Sequence, residues 1–397
     1  MLPAQPLLIR MHMIKTSSIF LAILVVAFVQ ISCNPLSTAI FSKKTLREKY
    51  EDKLRKDSGK NNPTVNAWLN AAEHSLQHPL KIPSTYVESG KFTANNHTAT
   101  SLQVFVKRGQ KLMVQLNKTS AMPFAVYLDL WQAADSLTGA VPKYILASDT
   151  AINNMEYVAI KDENLLIRYQ SQISTHGSYM VSVKAVASFS FPIAANVKSN
   201  IGSFWGAGRD GGARKHEGID IFAPAKSPAV AVADGYITSV TENVLGGKVI
   251  FMQPFKTSYN VYYAHLDEQL VITGQQVKAG DVIGLIGNTG NAKTTAPHLH
   301  FGIYTIGGAI DPLAFVEKQR SNGVTAAPTF ATTGMITTKT TKLYADLAMQ
   351  HPIGTLEKST SLQAEAFNGK HYRVVLPDGR KAFAEAKNLT IQTEKNS

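Results

Sequence analysis

Between residues 80 and 190 apolar side chains recur at every second position. Leu102, Val104 and Val106 point one way, Arg108-Gly109 turns the chain, and Leu112, Val114 and Leu116 resume the alternation. Phe124, Val126, Leu128 and Leu130 repeat it, as do Leu165, Ile167 and Tyr169, then Tyr179, Val181 and Val183. Successive side chains of a strand face opposite ways, so each run predicts a strand with one buried face. Several such runs with turns between them predict a β-sandwich over 80–190. No cluster of chemically able side chains accompanies the pattern, which therefore reads as a spacer or binding module. Ahead of it, Thr45-Leu46-Arg47-Glu48 has the form of a helix capping box, with Leu46, Tyr50 and Leu54 on one stripe. A second helix is predicted over 64–77, ending before Pro79. Residues 33–79 are thus expected to be a tether with short helices.

Further along the pattern changes twice. Residues 191–320 are Gly-rich, and 321–335 have the small and polar composition of a linker. Short strands return in 336–392: Lys342-Leu343-Tyr344, Gly354-Thr355-Leu356 and Tyr372-Arg373-Val374-Val375-Leu376. Pro377-Asp378-Gly379-Arg380 supplies a turn, and Lys381-Ala382-Phe383-Ala384 pairs back. The expected fold is mainly β throughout.

Composition narrows the class. A 397-residue chain with 44% hydrophobic residues can bury several cores, which excludes a chain disordered throughout. The single cysteine, Cys33, excludes a disulfide scaffold. Only residues 17–32 form a long apolar run, short of a full membrane span, which excludes a polytopic membrane protein. That run follows Lys15 and ends in Gln30-Ile31-Ser32-Cys33, the layout of an export signal over 1–32. With the cysteine directly after a small residue, it resembles a bacterial lipoprotein signal, in which Cys33 would be acylated and tie the protein to a membrane. A plain secretory peptide or an uncleaved anchor are the other readings. Lacking other cysteines suits an envelope protein that needs no disulfides. Forty Lys+Arg against 28 Asp+Glu give a net charge of +12. Such a balance favours anionic partners (nucleic acid, lipid headgroups or a bacterial envelope) without choosing among them.

The candidate chemistry lies in 191–320. His216-Glu217-Gly218-Ile219-Asp220 is an H-x-x-x-D, Tyr262-Tyr263-Ala264-His265-Leu266 carries another histidine, and Pro297-His298-Leu299-His300-Phe301 is an H-x-H. On a strand His298 and His300 project together while Leu299 and Phe301 enter the opposite layer. Both imidazoles could then reach one metal, or one could ligate while the other handles protons. His216 and Asp220 are too far apart on a straight strand to serve one ion, and Gly218 between them allows a bend. Two nitrogens and a carboxylate oxygen suit Zn²⁺, and three protein ligands leave a fourth position for water. Zinc lowers that water's pKa to about 7 and polarises a carbonyl, which equips a site for amide hydrolysis. Each motif alone is commonplace; their co-occurrence in one Gly-rich β segment is the signal. Gly287-Asn288-Thr289-Gly290-Asn291-Ala292-Lys293-Thr294 has the glycines of a phosphate loop, but Ala292 precedes the lysine and a strand follows, so nucleotide binding is excluded.

At these residues the segment 191–320 resembles the lysostaphin/LytM-type zinc endopeptidases, which cut peptide bonds in bacterial cell-wall peptidoglycan. The match runs through His216-Glu217-Gly218-Ile219-Asp220, Tyr263-Ala264-His265-Leu266, Gly287-Asn288-Thr289-Gly290, Pro297-His298-Leu299-His300-Phe301 and Ala309-Ile310-Asp311-Pro312. The resemblance implies one zinc held by His216, Asp220 and His300, with His265 and His298 as the catalytic pair. It implies peptidoglycan as the partner, in place of nucleic acid or a nucleotide, and an envelope location. It further implies a Gly-rich antiparallel β-sheet for the peptidase domain. Residues 336–392 resemble a small bacterial SH3-like β-barrel, often attached to wall hydrolases, with Ala382-Phe383 where that module usually carries Gly-Trp. The 80–190 module is similar to pre-peptidase modules of secreted bacterial enzymes. Two rival readings share the segment: a non-enzymatic relative that binds the wall or activates an amidase, and an exported metalloprotease acting on protein.

Overall fold

A computed structural model describes residues 44–59, 61–93, 98–134, 140–318, 328–330, 334–350 and 352–391. The export signal, Cys33 and most of the 321–335 stretch lie outside the described residues. The described chain is mainly β, with two helices of more than one turn near its start.

Helix α1, Leu46–Ser58, begins at the expected capping box: the Thr45 hydroxyl accepts from Glu48 N–H and the Glu48 carboxylate accepts from Thr45 N–H. Helix α2, Pro63–Gln77, is capped by Asn62. The two are docked on the first sheet by aromatic contacts that the hydropathy pattern does not reveal. Trp68 is fully buried and donates its indole N–H to Ser171 O, and Tyr50 stacks on Tyr127 at 5.3 Å.

The alternating runs of 80–190 become strands of two sheets that share one core. Thr100–Val106, Glu163–Ser171 and Val126–Gln132 are neighbours in a five-stranded sheet. Thr85–Phe92, Gly177–Ala187, Gln110–Thr119 and Asn154–Val158 are neighbours in a second. Leu102, Val104, Val106, Leu112, Val114, Leu116, Val126, Leu128, Leu130, Leu165, Ile167, Tyr169, Tyr179, Val181 and Val183 all lie in that core, with Phe124 packed against its edge. Period-two alternation located the core faces, but Val126–Gln132 and Glu163–Ser171 bury their other face as well, beneath the two helices.

The second sheet does not end with this module. Thr85–Phe92 pairs with Ser361–Phe367, so the strands of residues 334–391 extend the same sheet. Four charged side chains are buried at this join. Arg373, 1% exposed, meets the carboxylates of Glu88 and Glu365, and Lys381 meets Glu365. Tyr86, Tyr169 and Thr98 donate to the same carboxylates, while Thr100 and Tyr179 accept from Arg373. Burial works against ionising Glu365, yet Lys381 and Arg373 outweigh it and hold that carboxyl down at about 2.

The Gly-rich segment forms a separate ten-stranded sheet with its own core, in which Leu299, Phe301, Tyr263, Ile219 and Ile221 are fully buried. Its central neighbours are Ile219–Phe222, His298–Thr305, Asn260–Gln269 and Gly247–Pro254. Those strands carry all the candidate residues except His216, which lies just before the first of them.

Candidate metal centre and cleft

Antiparallel register places the ligands. Ile219–Phe222 pairs with His298–Thr305 so that Asp220 is directly opposite His300, and Asn260–Gln269 brings Ala264 opposite His300 from the other side. Residues directly opposite share a face, so the layer that sends Leu299 and Phe301 into the core sends His298, His300 and Asp220 to the other surface. His216 reaches them across a bend at Gly218, as expected, and a second constraint holds the glycine there. A Cβ on Gly218 would lie 2.5 Å from Phe301 O and 2.7 Å from the His300 ring. The glycine is there because the backbone passes directly over the neighbouring strand.

His216, Asp220 and His300 converge. His216 Nε2 lies 2.9 Å from Asp220 Oδ1 and 3.0 Å from His300 Nδ1, and His300 Nδ1 lies 3.0 Å from Asp220 Oδ1. Proton counting shows what this triangle lacks. His216 Nδ1 donates to the carbonyl of Phe204 at 2.9 Å, so a neutral His216 presents a lone pair at Nε2. Asp220 Oδ1 presents another, and a single N–H on His300 cannot satisfy both. Two acceptors therefore face each other at 2.9 Å unless a further proton or a cation lies among them. Ligands on a tetrahedral zinc stand roughly 3.3 Å apart, within a few tenths of an ångström of this spacing, so the donor set fits the ion. The other carboxylate oxygen, Asp220 Oδ2, accepts from Arg209 Nη2 at 2.6 Å, and Arg209 also donates to Ser203 Oγ. Burial pushes the Asp220 carboxyl up, but its contacts with His216 and His300 prevail and hold it well below the usual carboxylate range. Burial lowers the His300 pKa, with Asp220 opposing.

The other two histidines flank this group. His265 lies with its ring centroid 5.0 Å from that of His298 and 5.9 Å from that of His300. His265 Nδ1 donates to Thr289 O and His298 Nδ1 to Ala296 O, each at 2.9 Å. Because a carbonyl can only accept, both rings keep Nε2 for the cleft that they line. Burial, then the proximity of His298 and His300, pushes the His265 pKa down to about 4. A neutral imidazole at ordinary pH is what an acceptor of protons requires. The cleft has a volume of about 860 Å³ and includes Phe251, Tyr262, Tyr304, Arg209 and Lys215 in its walls.

All five sequence-predicted residues thus surround one cleft, three in a tight triangle and two beside it. Sequence reasoning missed Arg209, which stands in no motif, and the Phe204 carbonyl, since backbone partners leave no mark in a sequence. Among the described residues the triangle is the one group of histidine and acidic side chains close enough to hold an ion.

Residues 214–312 match the family model described as Peptidase family M23. Over 114 residues the chain is 37% identical to an uncharacterized metalloprotease of Haemophilus influenzae, covering 29% of this chain and 24% of that one. It is 38% identical over 88 residues to the peptidoglycan DD-endopeptidase ShyC of Vibrio cholerae, covering 22% and 20%. It is 36% identical over 126 residues to the L-Ala–D-Glu endopeptidase of Bacillus subtilis, covering 30% and 38%. The chain thus spans well under half the length of these relatives. The family model and the relatives support a peptidase segment of the LytM/M23 class, one whose members include peptidoglycan endopeptidases.

Proposed function

We propose that the protein is a zinc-dependent endopeptidase that hydrolyses peptide bonds in bacterial cell-wall peptidoglycan. The observation that carries this reading is the convergence of His216 Nε2, Asp220 Oδ1 and His300 Nδ1 beside two further imidazoles on an open cleft. These three side chains would hold the zinc. Bound there, zinc supplies a Lewis acid that polarises the scissile carbonyl and acidifies water. The chain's own work is proton transfer. One of His265 and His298 takes the proton of the attacking water through Nε2 as the C–O bond forms. The other, in its doubly protonated form, uses its Nε2–H to stabilise the tetrahedral oxyanion or to give that proton to the amide nitrogen as the C–N bond breaks. Phe204, Thr289 and Ala296 hold the ring tautomers by accepting from Nδ1.

The surrounding assignments belong to the same proposal. Residues 80–190 are a pre-peptidase-like sandwich, 191–320 the peptidase domain and 336–392 an SH3-like module. Export through 1–32 and a lipid on Cys33 would place the cleft at the wall. The peptidoglycan endopeptidases among the relatives support that substrate class.

Digestion of purified sacculi with the zinc-loaded protein, followed by mass analysis of the released fragments, tests this. Fragments cut at one kind of peptide bond are expected. His265→Ala should keep its zinc and lose turnover by about 10²–10⁴-fold. Zinc bound with no fragments released would move the protein to the wall-binding class, and cleavage of unfolded protein but not of sacculi would move it to the protein proteases.

A further inference from the structure

His265 adopts φ +62°, a left-handed backbone that non-glycine residues keep only where their surroundings enforce it. Three of its polar atoms are held by two loops. Its N–H donates to Gly246 O at 2.7 Å, its C=O accepts from Gly287 N–H at 3.1 Å, and its Nδ1 donates to Thr289 O at 2.9 Å. Thr289 also ties these loops together with its side chain. The hydroxyl donates to Leu266 O at 2.8 Å, the residue after His265, and accepts from Lys248 N–H at 3.0 Å. The loops meet backbone to backbone: a Cβ on Gly290 would lie 2.3 Å from Gly247 N, and one on Gly247 would lie 2.4 Å from Gly290 N.

We propose that Thr289 is the positioning residue of His265. Its carbonyl fixes the ring tautomer, and its hydroxyl locks the contact that keeps the carbonyl in place, so that Nε2 is the lone pair offered to the cleft. This rests on the reading of His265 as a proton carrier. Thr289→Val keeps the β-branched shape and removes the hydroxyl. A hydroxyl that only added stability would leave turnover of the folded protein unchanged; a positioning one lowers it.

The experiment uses the full chain. Turnover on sacculi, bound zinc, melting temperature and the ¹⁵N spectrum of labelled histidines are compared for wild type, Thr289→Val and Thr289→Ser. Thr289→Val should lower kcat by about 10–100-fold, the usual reach of a residue acting through another, with KM and zinc content unchanged. Thr289→Ser should restore kcat. In wild type, His265 should show one Nδ1-protonated tautomer, which broadens or mixes in Thr289→Val. Folded Thr289→Val with wild-type kcat and an unchanged His265 spectrum would overturn the proposal. Should that variant not fold, wild type decides, since rapid exchange of the His265 Nδ1 proton or of the Lys248 amide is incompatible with the clamp. If wild type cleaves nothing in sacculi, the peptidase reading fails, while the spectra still judge the clamp.

Discussion

Two of the polar clusters buried among the described residues are built on opposite principles. Where the 334–391 strands join the sheet of Thr85–Phe92, two carboxylates (Glu88 and Glu365) face two cations (Arg373 and Lys381), and tyrosines and threonines supply the remaining donors and acceptors. Charge and hydrogen bonding close within the group, and solvent is shut out. In the peptidase segment, His216, Asp220 and His300 bring acceptor atoms together with too few protons between them, and the group opens on a cleft. Burying polar groups is tolerable only when their partners are present. A closed set is therefore a structural joint, and a set with a deficit is waiting for something. Total burial or the number of charges would not separate the two clusters, whereas proton counting does.

The sharpest way to break the comparison is to remove one member from each. Asp220→Ala or His216→Ala should take bound zinc from about one ion per chain to nearly none and abolish cleavage, as read by elemental analysis and sacculus digestion, while the metal-free fold persists. Arg373→Met should do the reverse. It leaves Glu88 buried without its ion-pair partner and Glu365 with Lys381 alone, and removing one partner of a buried ion pair costs about 3–5 kcal/mol. Denaturant unfolding should show that loss, with zinc content unchanged in the folded fraction. If Arg373→Met were to lose zinc at unchanged stability, the division into joint and site would be wrong.

The two clusters also differ in how legible they were. The metal group stands in H-x-x-x-D and H-x-H and His265 in Tyr-Ala-His-Leu; only the H-x-H spacing maps directly onto strand geometry, and the division into ligands and catalytic pair came from the family resemblance. His298 and His300 share a face because a strand alternates, and the register with Asp220 follows from adjacent strands. The joint was not legible. Glu88 and Arg373 are 285 residues apart, and nothing in Tyr372-Arg373-Val374 distinguishes an arginine paired in a core from one at a surface. The alternating residues of 80–190 other than Phe124 lie in the core, yet the second buried face of two strands was not legible, and the pairing of Ser89 with Phe367 depends on sheet-edge contact that hydropathy does not encode. The bend at Gly218 was legible, whereas its second role as a clearance was not, since sequence reveals that a side chain is missing but not what would have collided with it. Thr289 stood in a stretch whose glycines suggested a phosphate loop. The same stretch, Gly287-Asn288-Thr289-Gly290, carries part of the family resemblance, but the hydrogen bonds that Thr289 makes to backbone atoms are not legible in it.

The smallest expected effect separates the clusters by pH. His265 stays neutral in the native state down to about 4, against 6.5 for a free histidine. In the metal-free protein between those values, the unfolded chain therefore takes up a proton that the native state refuses. Stability should fall as pH drops from about 6.5 toward 4 and gain no further penalty from this group below that. The whole difference would be worth roughly 3 kcal/mol, and screening by solvent in the open cleft reduces it to about 1–2 kcal/mol. The joint acts in another window. Glu365 is held at about 2 against 4.5, so its contribution is intact above 4.5 and is lost as pH falls through 2. Other histidines also have lowered values, His300 and His371 among them, so the measurement is a difference. Unfolding free energies of metal-free wild type and His265→Gln, taken from pH 7 to pH 4.5, should diverge in slope, with the variant flatter. Equal slopes would mean that His265 takes up its proton in the native protein over the same range as in the unfolded chain, so that burial does not hold it neutral between 6.5 and about 4.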